Sequence, residues 1–104
     1  MSDYSSAEAN ISRVREVLQQ NIGELSRNYR VKSLGLFGSF VRGEQREASD
    51  IDILVEFSET PGLISFIALE NHLGELLDAK VDLVMKDALK AAIGERILRE
   101  VVPV

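Results

Sequence analysis

Residues 36–55, LFGSFVRGEQREASDIDILV, carry the most informative pattern in the chain. It begins inside an apolar, β-prone run, Val31–Phe37, which predicts a strand. It ends inside a second such run, Asp50–Phe57, which predicts another strand and in which acidic and apolar residues alternate at the start. Between them, residues 39–42 fit a short helical turn, and the polar residues 43–49 are typical of a loop. The stretch therefore predicts a strand, a short helical turn, a loop and a second strand.

An amphipathic helix is predicted ahead of the first strand, over Ser5–Tyr29. Ser5 or Ser6 is the expected N-cap, because a serine hydroxyl can accept a hydrogen bond from the free N–H groups of the first turn. Apolar residues recur at steps of three and four, which places them on one helix face. These residues are Ile11, Val14, Leu18, Ile22, Leu25 and Tyr29.

The C-terminal half predicts a helix, a strand and a helix. The first helix covers Leu63–Leu77, the strand Lys80–Met85, and the last helix begins with Asp87 as N-cap and stops before Pro103. The order α-β-β-α-β-α predicts one α/β or α+β domain over residues 1–104. The residues expected to be buried in the first of these helices are Leu63, Phe66, Ile67, Leu73, Leu76 and Leu77.

Composition excludes several classes of function. A chain of 104 residues has room for one core, and its net charge of −5 opposes both non-specific nucleic-acid binding and docking on anionic membranes. With no cysteine and one histidine, thiolate zinc sites and His-rich metal sites are excluded. The polar N-terminus does not resemble a signal peptide and no apolar run is long enough to span a bilayer, so the expected compartment is the cytoplasm.

Acidic residues on the predicted strands are candidate metal ligands. Asp50 and Asp52 alternate with isoleucines, so their side chains share one face and their Cα atoms lie about 6.5 Å apart. Asp82 stands within an apolar strand, where a charge is costly to bury without compensation. If the two strands are neighbours, the three carboxylates form the hard-oxygen site that Mg²⁺ prefers. Taken singly, the Asp-x-Asp would fit a solvated strand edge, and Asp82 could pair with Lys80.

Gly38-Ser39, at the junction of strand and helical turn, is a candidate phosphate site. Glycine lets a phosphate approach the backbone closely, and the first N–H groups of a helix attract anions. Alone, such a pair would more often be a plain turn. Opposite a set of carboxylates, however, the Gly38-Ser39 pair could bind one end of a polyphosphate whose oxygens are bridged by Mg²⁺. The chemistry expected of that combination is in-line nucleotidyl transfer assisted by two metal ions.

Residues 36–44 and 49–55, together with Asp82, resemble the signature of the DNA polymerase beta-like nucleotidyltransferase superfamily. The Gly-Ser-x-x-Arg-Gly form and the small size resemble its minimal nucleotidyltransferases, the MNT or MntA-like proteins. The resemblance implies a small mixed β-sheet with helices packed against it. It also implies transfer of a nucleoside monophosphate from a nucleoside triphosphate to a hydroxyl, with Mg²⁺ held by three aspartates.

Carried over by that resemblance, Gly38 and Ser39 would contact the nucleotide phosphates. Asp50 and Asp52 would bind the metal, and Asp82 would be the third ligand and the acceptor of the hydroxyl proton.

Arg42 matches the same motif, and two roles stay open for it. It could bind a nucleotide phosphate, or it could brace the loop by pairing with Glu44 or Glu47.

The resemblance further implies a partner. Minimal members commonly pair with a HEPN-domain toxin, and the MNT protein acts as the antitoxin by moving AMP from ATP to a tyrosine of the toxin. A hetero-oligomer is then expected, without membrane or direct nucleic-acid contact. Two alternatives stay open: an antitoxin that acts by stoichiometric binding and has a vestigial nucleotide site, and a nucleotidyltransferase acting on a small molecule. Gly94, Ile97 and Val101 of the last helix, with the apolar segment 101–104, could dock the partner. Alternatively, this tail could pack on the core or fray.

Overall fold

Helices and strands follow one another along the chain in the predicted α/β order. The computed structural model describes residues 3–42, 50–89 and 91–104. The predicted loop at residues 43–49 lies outside the described residues. The elements are α1 (Asp3–Tyr29), β1 (Val31–Phe37), α2 (Ser39–Arg42), β2 (Ile51–Phe57), α3 (Leu63–Leu77), β3 (Val81–Met85), a 3₁₀ turn (Lys86–Ala88), α4 (Ala91–Glu100) and β4 (Val102–Pro103).

The strands form a mixed sheet, which confirms the expected architecture. Across the described residues the sheet has four strands in the order β3-β2-β1-β4. β1 is antiparallel to both β2 and β4, whereas β3 runs parallel to β2. Parallel neighbours need a crossover connection, and α3 supplies it. As a result, β2 and β3 begin at the same end of the sheet, the end at which β1 finishes.

The main core lies between the sheet and the long helices α1 and α3, which contact each other and the strands. The predicted apolar face of α1 is confirmed: Val14, Leu18 and Leu25 are buried, and the other three residues are partly buried. The strands contribute Leu36, Ile53, Val55 and Leu83, and α3 contributes Leu69, Leu73 and Leu77.

The predicted burial at the start of α3 is wrong for two residues. Leu63 is 74% exposed and Ile67 is 46% exposed. The buried stripe of α3 runs through Leu69, Leu73 and Leu77, and Ile67 lies two residues from Leu69, about 200° around the helix. Ile64, 86% exposed, joins Leu63 and Ile67 as an apolar surface. Among the described residues no helix has the length and apolar character needed to cross a membrane.

Two predicted helix caps are also wrong. α1 begins at Asp3, so Ser5 and Ser6 both lie inside the helix. Asp87 belongs to the 3₁₀ turn rather than to α4. The Leu89 N–H donates to the Lys86 carbonyl at 3.3 Å, which closes that turn. The extended backbone of Leu89 then separates the turn from α4, which begins four residues after Asp87.

The C-terminal tail packs on the sheet as a short edge strand, which sequence reasoning missed. Gly35 and Leu36 of β1 pair with β4, and the Val104 N–H donates to the Leu34 carbonyl at 3.0 Å. Val102 and Val104 are partly buried against the core. Of the outcomes considered for this tail, core packing is therefore the one that the structure supports. A strand this short that contains a proline has no sequence pattern of its own.

Candidate active site

Gly38 forms the turn between β1 and α2. Its φ is +79°, a left-handed conformation that favours glycine. The N–H groups of Val41 and Arg42 donate to the Gly38 carbonyl at 3.1 and 3.2 Å, which starts the short helix. A Cβ at position 38 would overlap Oδ2 of Asp52. The absence of a side chain therefore lets the turn lie directly against this carboxylate.

The candidate metal ligands meet at the end of the sheet where β2 and β3 begin. Asp52 and Asp82 are register partners on these parallel strands, which lie about 4.8 Å apart, so both side chains project from the same face. Asp50 lies directly before β2, whose first N–H, that of Ile51, donates to the Lys80 carbonyl at 2.9 Å. Asp82 is exposed, whereas Asp50 and Asp52 are half-buried. The structure thus brings the three predicted residues together at one end of the sheet.

The charges around Asp52 disfavour its ionised form. The pKa of Asp52 is raised above its ordinary value of 3.8, first by burial and then by the negative charges of Asp82, Asp50 and Glu100. The positive charge of Arg42 acts in the opposite direction but does not cancel the effect. The site is therefore an electrostatically negative surface that a cation would stabilise.

The carboxylate oxygens at this end of the sheet are ligands of the kind that fits Mg²⁺. Within the described residues no three acidic or histidine side chains are already gathered as a metal cage. However, Asp52 and Asp82 are in register with Asp50 close by, and they offer only the hard carboxylate oxygens that Mg²⁺ prefers. The repulsion that raises the pKa of Asp52 is also the interaction that a divalent cation would offset.

Glu100, at the C-terminal end of α4, is a site residue that the sequence did not reveal. Arg42 Nη1 donates to Oε1 of Glu100 at 3.2 Å and to Oε2 at 3.1 Å. The Gly38 N–H donates to the same Oε1 at 3.2 Å. No local pattern points to a partner 58 residues away, because α4 and β4 bring it there.

Two predictions, on the partner of Arg42 and on the Ser39 hydroxyl, concern groups outside the described residues. The pairing of Arg42 with Glu44 or Glu47 concerns partners outside the described residues. The Ser39 hydroxyl also lies outside them, although α2 begins at Ser39, the predicted start of the helical turn.

In the metal-free protein, Asp52→Asn is expected to raise stability near neutral pH. A raised pKa means that the folded chain holds the Asp52 proton more tightly than the unfolded chain does, so wild-type stability falls as the pH rises through that pKa. The variant lacks this loss, so its advantage should shrink as the pH falls through the raised pKa and should be absent below 3.8. Thermal melts in EDTA between about pH 3 and neutral pH measure it. The exposed Asp87→Asn is the control, and an advantage of Asp52→Asn that does not change with pH would contradict the assignment.

Comparison with known proteins identifies the class. The family described as Nucleotidyltransferase domain matches residues 13–103, so the chain belongs to that family and is a nucleotidyltransferase. It is 48% identical over 92 residues to the protein adenylyltransferase MntA of Thermococcus cleftensis, covering 88% of this chain and 93% of the relative. The resemblance to minimal, MntA-like nucleotidyltransferases is thereby confirmed.

Solved structures agree with this family. One described as a minimal nucleotidyltransferase superposes with a TM-score of 0.73 at 35% identity, covering 94% of this chain and 95% of the other. A toxin–antitoxin crystal structure with AMP-PNP superposes with a TM-score of 0.66 at 29% identity, covering 81% of this chain and 69% of the other.

Proposed function

We propose that this chain moves AMP from ATP to a tyrosine hydroxyl of a HEPN-domain toxin and thereby acts as its antitoxin. The observation that carries the proposal is the contact of the Gly38 turn with Asp52, whose register partner is Asp82. A phosphate held at the turn would then lie beside the carboxylates. The similarity to an MntA protein adenylyltransferase supports AMP as the transferred group. The toxin–antitoxin structure that contains AMP-PNP supports ATP as the donor.

Each residue of the site has a role in this reaction. The backbone of the turn at Gly38 and Ser39, with Arg42, would bind the phosphates, and Asp50, Asp52 and Asp82 would hold Mg²⁺. When bound, Mg²⁺ supplies charge neutralisation on the phosphates and on the leaving pyrophosphate.

In the transfer itself, the acceptor oxygen forms a bond to the α-phosphorus, the α–β phosphoanhydride bond breaks, and pyrophosphate leaves. Asp82 is exposed and takes the proton of the acceptor hydroxyl, which arrives from outside.

An exposed apolar surface supports a protein as the partner. Leu63, Ile64 and Ile67 form an exposed apolar surface at the start of α3, and contiguous apolar surface of this kind marks interaction sites. The net charge of −5 suits a nucleic-acid acceptor poorly. We propose that the HEPN toxin covers this apolar surface in a hetero-oligomer of the domain formed by residues 1–104.

The direct test incubates the chain with HEPN-domain proteins of its own genome, Mg²⁺ and ATP labelled at the α-phosphate. We expect label on one HEPN protein, lost when EDTA is added, and no label from ATP labelled at the γ-phosphate. The labelled residue, located by mass spectrometry, should be a tyrosine.

Other outcomes separate the alternatives. A stable complex without label would favour stoichiometric neutralisation with a vestigial nucleotide site. Label recovered only in a panel of small hydroxylated molecules would favour a small-molecule nucleotidyltransferase.

A further inference from the structure

We infer that Glu100 is a positioning residue of the nucleotide site, which holds Arg42 and the Gly38 turn in the arrangement that binds phosphate. This inference rests on the proposed function, because it takes Arg42 and the Gly38 turn as phosphate ligands. Glu100 itself touches neither phosphate nor metal in this role. It acts through the two groups that it contacts.

The contacts of Glu100 join both groups at once. Arg42 Nη1 lies between the two carboxylate oxygens, 3.2 Å from Oε1 and 3.1 Å from Oε2. The Gly38 N–H donates to Oε1 at 3.2 Å. The side chains of Arg42 and Glu100 are 39% and 22% exposed. A partly buried, charge-assisted contact that also binds backbone is stronger than an open surface pair.

The fold fixes Glu100 at this place. The Val101 N–H donates to the Ile97 carbonyl at 2.9 Å, so α4 stays wound up to its end. Directly after it, β4 pairs with Gly35 and Leu36 of β1. β1 ends one residue before Gly38, so the same strand carries the turn and anchors the segment that bears Glu100.

The arrangement links nucleotide binding to the C-terminal segment. Both contacts with Glu100 use Nη1 of Arg42, so they hold the guanidinium in a defined orientation. By accepting the Gly38 N–H, Glu100 also steadies the turn that lies against Asp52. Small displacements in such a site are costly, because transfer depends on the alignment of reacting groups.

A double-mutant cycle on ATP affinity tests the inference. Isothermal titration of the full chain with ATP and Mg²⁺ would compare Glu100→Ala in the wild-type background and in the Arg42→Ala background. We expect Glu100→Ala to weaken ATP binding about fivefold to tenfold in the wild type and less than about twofold beside Arg42→Ala. Glu100→Gln, which keeps an oxygen acceptor for Gly38, should show a smaller loss.

The matched control is Glu95→Ala, which removes the same charge from the same helix. Glu95 is exposed and pairs with Arg99 one turn along at 3.6 Å, so its loss should leave ATP affinity unchanged. Thermal melts check that every variant is folded at the titration temperature.

Several results would overturn the inference. Tighter ATP binding by Glu100→Ala would mean that the carboxylate competes with phosphate for the same donors. An equal loss in both backgrounds would mean that Glu100 does not act through Arg42. Unchanged binding by Glu100→Ala, with normal wild-type binding, overturns this inference alone. No ATP binding by the wild type overturns the proposed function and this inference with it.

Discussion

Replacing Asp50 and Asp52 together by asparagine is expected to lower the rate of AMP transfer by about a hundredfold or more, while binding of the partner persists. Amide oxygens carry no net charge, so the variant cannot hold the cation that offsets phosphate charge. The fold should survive because the ionised Asp52 is disfavoured in the metal-free protein, as its raised pKa shows. Initial rates of label transfer measure the first effect, and co-purification measures the second.

A matched control removes two negative charges elsewhere. Glu59 and Asp87 are exposed and follow the far ends of β2 and β3, away from the candidate site. Glu59→Gln with Asp87→Asn should therefore retain full transfer. If the Asp50 and Asp52 double variant neutralises the toxin as well as the wild type does, stoichiometric binding rather than transfer is the antitoxin mechanism.

Gly38→Ala is expected to destabilise the chain by about 2–4 kcal/mol. Part of the cost is the positive φ of +79°, which an alanine adopts only with strain. The remainder is the overlap of the new Cβ with Oδ2 of Asp52, which must move away from the turn. Transfer activity should fall as well, because the turn and the carboxylate separate. Urea unfolding measures the loss of stability.

Gly23→Ala is the comparison at a glycine with neither a positive φ nor a close contact. Gly23 lies inside α1, is exposed, and a Cβ added there would meet nothing within 4 Å. Alanine is the better helix former, so this variant should gain up to about 1 kcal/mol. Equal effects at both positions would show that neither φ nor the contact with Asp52 matters at Gly38.

Local patterns account for what could be predicted. The apolar face of α1, the bounds of α3 and the break at Gly38 depend on neighbours a few residues apart, which the sequence displays directly. The exposure of Leu63 and Ile67 could not be predicted in this way. Helical spacing shows that a face is apolar, but only packing against the sheet selects which stripe of α3 is covered.

The strand, the glycine turn, the short helix and the Asp-x-Asp could each be read from the sequence, because each depends on adjacent residues. The sequence did not show how these parts are arranged in space, because Asp82 lies beside Asp52 only if their strands are neighbours. Tertiary structure decided that point by pairing β2 with β3 in parallel, with Asp52 opposite Asp82. It also decided the Arg42–Glu100 pair, which forms because β4 anchors the end of α4 beside β1. Contacts between distant residues depend on strand order and register, and no local pattern records either.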